Sequence, residues 1–192
     1  ALAMLMFFGV GVGTLLYNEQ AAIARQFFAE DTARTAYFAN IDLAVNALTI
    51  LVQVFLTRWL LRRHGVAPLL LLPAIAILIG FSLLTLSPLP ILVAIVQVVT
   101  RAGEFSLAKP ARETLYTRVD RESRYKAKAV IDTVVYRGGD LTFVWVHKAL
   151  SAFGSSVVFG AGLLIAAGIT FSAWRLLREE AKLPSERAPR AT

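Results

Sequence analysis

Apolar residues in this chain come in blocks about as long as a bilayer span, and the polar positions that break into those blocks carry most of the information. A hydrocarbon core takes about 20 apolar residues of helix. Six blocks fit that length: residues 2–28, 36–61, 67–86, a fourth opening at Leu89, 129–150 and 157–177. In the second, Asp42, Asn46, Thr49 and Gln53 stand four, three and four residues apart, which draws one polar stripe down an otherwise apolar helix. Such a stripe either bonds to a neighbouring helix or lines a solute path. The first block carries Gly9, Gly11 and Gly13 early, where they suit close packing or a local bend, and Tyr17-Asn18-Glu19-Gln20 late. The third is free of charge and predicts a scaffold facing lipid, whereas Gly160, Gly162 and Gly168 in the sixth predict close helix contact.

The fourth block is different. Its charges begin inside the apolar run, with Arg101 and Glu104 followed by Lys109 and Arg112. A charged side chain at bilayer depth costs about 2.5–3.5 kcal/mol on insertion scales, so these groups must face protein, one another or water. On a regular helix Arg101 and Arg112 project almost the same way, with Glu104 and Lys109 on either side. Pro110 has no N–H, which leaves the Ser106 carbonyl free to turn toward a partner or water. In the fifth block Arg137 and Asp140 are three apart and can pair, beside Asp132 and the Gly138-Gly139 pair that loosens a helix.

Composition agrees with a membrane assignment. Of 192 residues, 57% are hydrophobic and 17% charged, with a mean hydropathy of +0.62, which excludes an ordinary soluble domain. The absence of cysteine removes disulfides and thiolate chemistry. With His64 and His147 as the only histidines, the spacing supports no metal site, and no cofactor is called for. No nucleophile with a base and orienter and no Walker-type loop is present, so the pattern does not point to an enzyme.

The net charge of +7 could suggest nucleic acid, but the basic residues sit between spans, where topology accounts for them. Arg58, Arg62 and Arg63, the run from Arg118 to Lys128, and the tail bases Arg175, Arg178, Lys182, Arg187 and Arg190 fall on one side; Arg25, Arg34 and Lys148 fall near the other. The asymmetry predicts both ends of the segment in the cytoplasm; the membrane expected is a bacterial inner membrane. Residues 1–177 read as a six-helix bundle and 178–192 as a polar tail. The start at Ala1, already within an apolar helix, reads as a fragment of a longer protein.

The run EFSLAKPARETLYTRVDRESRYKAKAVID, from Glu104 to Asp132, resembles a patterned segment of the ATP/ADP translocase (nucleotide transporter) family of the major facilitator superfamily, which reads KYSLFDPxKEMAYIPLDxExKVKGKAAID. Ser106, Leu107, Pro110, Glu113, Tyr116, Asp120, Glu122, Lys126, Lys128, Ala129, Ile131 and Asp132 stand in step without a gap. Tyr17-Asn18-Glu19 is similar, more loosely, to the family's Asn-x-x-Glu region. Glu104 replaces the family's Lys, Lys109 its Asp before the proline, and Ile23 a Lys expected after Glu19. The resemblance implies that these helices are the C-terminal half of a twelve-helix carrier that completes its site with an N-terminal half and exchanges ATP for ADP by alternating access.

Together these readings predict an all-α, polytopic membrane protein of six transmembrane helices, one half of a major-facilitator-type carrier for an anionic, nucleotide-like or phosphorylated solute. Glu19, Asp42, Asn46, Arg101, Glu104, Lys109 and Arg112 are the expected binding residues: Arg101 and Lys109 for the anion, Glu19, Asp42 and Glu104 as counter-ions or protonatable groups. A major facilitator carrier of an unrelated metabolite or drug, and a non-transporting sensor with the carrier fold, are the alternative readings.

Overall fold

The computed structural model describes residues 2–116 and 121–180. Among these there is no strand. Six long helical segments follow one another: α1 (Leu2–Phe27), α2 (Asp31–His64), α3 (Ala67–Leu86), α4 (Pro90–Tyr116), α5 (residues 121–151) and α6 (Ser155–Glu180). Proline stands at the start of α3 and α4, where its missing N–H is no loss, and Gly65 and Gly154, both at positive φ, turn the chain after α2 and before α6.

Five of the six, all but α5, are long and apolar enough to cross a membrane. The expected count of six spans is therefore met only as six helices. α5 has the length but carries Arg137, Asp140, His147 and Lys148 along it, so its apolar content falls short.

The dry core lies between α1, α3 and α6, with part of α4. Leu16, Leu69, Phe81, Leu84, Val93, Phe159, Ala166 and Ala173 are fully or almost fully enclosed there. Small residues let the backbones approach: a Cβ on Gly162 would stand 2.1 Å from the Phe81 ring, and one on Gly168 3.1 Å from Phe8. In α1 only Gly11 plays that part, against Phe143 of α5; Gly9 and Gly13 face open space. The charge-free α3 buries one face, from Leu69 to Leu84, in this core and leaves Leu72, Ile75, Ile79 and Leu83 exposed on the other.

Three helices widen for one turn of i→i+5 bonding: α2 at Val52–Thr57, α4 at Glu104–Ala108 and α5 at Ile131–Val135. In α4 the Lys109 N–H reaches the Glu104 carbonyl. A residue of regular helix advances the direction by about 100°, so the one extra residue held by such a turn rotates everything beyond it back by that amount.

Candidate functional site

Along the contact of α2 and α4 a polar seam replaces apolar packing. Asp42 Oδ1 accepts from Arg101 Nη1 at 2.6 Å, joining the two helices near the middle of α4. Neither group is sealed in: the Asp42 side chain is 59% exposed and that of Arg101 40%. Farther along, Gln53 Nε2 donates to the Phe105 carbonyl at 3.1 Å, and the buried Thr57 hydroxyl donates to the Ser106 carbonyl at 2.8 Å. Pro110 thus does free the Ser106 oxygen, and Thr57 takes it up. Both wide turns lie at this seam, so carbonyls released from α4's own ladder are met by side chains of α2.

The wide turn corrects the facing of the α4 charges. Arg101 and Arg112 do not project together; the rotation brings Arg112 over Glu104, and Nη2 donates to Oε1 at 2.5 Å across eight residues. By the same rotation Lys109 moves onto the side of Arg101. It is exposed and, among the described residues, has no hydrogen-bonding or ionic partner. Asn46 is likewise exposed and unpartnered there, while the Thr49 hydroxyl is buried without a partner. The α2 stripe therefore divides: Asp42 and Gln53 bind α4, and Asn46 opens outward.

Glu19 does not join this group. It is buried between α1 and α5, where its Oε2 lies 2.9 Å from His147 Nε2, with side chains 4% and 15% exposed. Below it, Thr14 donates to Asp140 Oδ1 at 2.7 Å. The expected pairing of Arg137 with Asp140 does not form; Arg137 is exposed and unpartnered among the described residues. His147 is the residue that sequence reasoning missed. Its partner is 128 positions away, and no local pattern signals the pair.

Where α5 begins, Lys128 Nζ donates to both Glu113 carboxylate oxygens, at 2.7 and 3.0 Å, tying it to the end of α4. Arg118, Asp120 and the tail from residue 181, including Lys182, Arg187 and Arg190, lie outside the described residues, as do the side chains of Arg121, Glu122, Arg124 and Asp132. Among the described residues no three His, Asp or Glu side chains gather as a metal would require.

Chemically, the α2–α4 face offers one guanidinium held by one carboxylate, a free ammonium on the same side and an open amide. An anion can compete with Asp42 for Arg101, since both offer oxygens to the same fork of donors. Compared with known proteins, the chain matches no family model, no curated protein and no solved structure.

Proposed function

We propose that this chain is half of a secondary carrier for an anionic solute, nucleotide-like or phosphorylated, with Arg101 and Lys109 as its cationic contacts. The half-exposed Asp42–Arg101 pair on helices long enough to cross a membrane carries the reading. Full ionic side chains partway along such helices are unfavourable against lipid tails and are retained beside water or a partner protein surface. A dry structural bridge would be enclosed; this one is open on the side where Lys109 and Asn46 are also exposed.

In the cycle we infer, the solute displaces Asp42 from Arg101 and gains Lys109, and the α2–α4 seam loosens as the two halves of the carrier rock. Glu104 keeps Arg112 oriented beside this path, and the Glu19–His147 pair holds α1 against α5 while they move. The resemblance of residues 104–132 to nucleotide transporters supports a phosphorylated solute, with exchange as the mode. The segment would sit in a bacterial inner membrane with both ends cytoplasmic, and a six-helix partner half would supply the opposite wall.

Proteoliposomes of the full-length protein, assayed for uptake of labelled ADP, ATP and inorganic phosphate, test the reading. Arg101→Ala and Lys109→Ala should each lower uptake of the transported anion. Unchanged uptake kinetics in both would remove these residues from the solute path. A wild-type protein that moves none of the three probes would overturn the phosphorylated-solute assignment.

A further inference from the structure

At its far end α2 carries a second constellation that the α2–α4 seam does not use. Phe55, Arg58, Trp59, Arg62 and Arg63 line an open cleft of about 510 Å³. No lining residue is acidic, and among the described residues none of the three guanidinium groups meets a carboxylate. Cations crowded into two turns of helix repel one another, an arrangement that an anion set between them relieves. Arg63 lies 5.8 Å from the centre of the Trp59 ring, which steadies its stem beside the indole.

The turns just before the cleft are apolar and uncovered, with Leu51 55%, Val54 57% and Phe55 72% exposed. From Phe55 through Trp59 to the arginines, the lining of the cleft therefore passes from a bare aromatic side chain to a knot of guanidinium groups. A phospholipid has the same order, from acyl chain through glycerol to phosphate. We propose that this cleft binds an anionic phospholipid, its phosphodiester held by Arg58, Arg62 and Arg63 and an acyl chain lying on Phe55 and the turn before it. A guanidinium fork can grip two phosphate oxygens at once, and a net negative headgroup such as that of phosphatidylglycerol has no internal ammonium to offset its charge against the three cations. Soluble phosphate would satisfy the arginines but leave Phe55 in the cleft bare, so the lipid is the better fit. This site does not depend on what, if anything, the protein transports.

Native mass spectrometry of the full-length protein, released from nanodiscs of equimolar phosphatidylglycerol and phosphatidylcholine, reads the retained lipid directly. Wild type should keep phosphatidylglycerol in at least fivefold excess, and the Arg58→Gln, Arg62→Gln, Arg63→Gln triple variant should bring that ratio to near one. Millimolar inorganic phosphate should not displace the lipid; displacement would reassign the cleft to a free anion. Equal retention of the two lipids by wild type, or an unchanged excess in a folded triple variant, would overturn the proposal. Should the triple variant fail to fold, photoactivatable phosphatidylglycerol on wild type decides: crosslinks must fall within residues 51–63, and crosslinks confined elsewhere would refute the site.

Discussion

The α3–α6 contact and the α2–α4 contact are both made by helices long enough to span a membrane, yet they are built from opposite materials. Between α3 and α6 there is no ionic pair among the described residues; Phe81 packs edge-on against Phe159 with ring centres 6.0 Å apart, and Gly162 leaves the hollow that receives the Phe81 ring. Between α2 and α4 the joints are an ion pair and three side-chain bonds to carbonyls, the third from Tyr37 to Pro90, and both helices widen along their contact. Close-packed rings have one good arrangement, and any slide opens a void. Hydrogen bonds to carbonyls and a half-exposed ion pair can be exchanged for water or solute at little cost. By this physical argument the first contact is the more rigid of the two, and the second is the one that can exchange partners.

The largest effect should come from breaking the dry seam. Gly162→Ala places a methyl 2.1 Å from a fully buried ring, and should destabilise the folded protein by about 2 kcal/mol, seen as a lower melting temperature in detergent. A variant that melts with wild type would mean that the dry seam yields as readily as the polar seam. Next is Arg101→Ala, expected to reduce solute uptake at least tenfold while the melting temperature changes less than in Gly162→Ala. The double change Asp42→Asn with Arg101→Gln removes both charges, so it should restore the stability lost in Arg101→Ala without restoring uptake.

Smaller again, Thr57→Val removes the hydroxyl that serves the Ser106 carbonyl and should cost about 1 kcal/mol in thermal unfolding. The same change made together with Pro110→Ala should cost less, because the backbone N–H that this substitution restores can reach that carbonyl; equal costs would show that the proline is not what makes Thr57 necessary. The smallest effect belongs to Gly13→Ala, which meets nothing within 4 Å and should bring no loss but a gain of about 0.5 kcal/mol from the helix preference of alanine over glycine. A loss there comparable to Gly162→Ala would mean that the glycines act through helix flexibility instead of close approach.

Some of this is legible in the chain. The apolar blocks, the punctuation by proline and glycine, and the free Ser106 carbonyl follow from local rules. The stripe from Asp42 to Gln53 is visible there, and so is its need for partners, but its split into bonded and open members is not. An ideal 100° step misplaces Arg101, Lys109 and Arg112 relative to one another, because it takes no account of the wide turn at Glu104–Ala108.

The sequence by itself determined that the chain is helical and that long stretches of it suit lipid. Away from water each peptide group must be satisfied within its own segment, and that requirement is met residue by residue. Only the tertiary structure decided that Glu19 meets His147, that Arg101 holds Asp42 and Arg112 holds Glu104, and that of three early glycines Gly11 is the one in contact. Those outcomes depend on how far each helix is rotated about its axis. One extra residue in a turn changes that rotation by about 100°, about the width of the face that a periodic pattern defines.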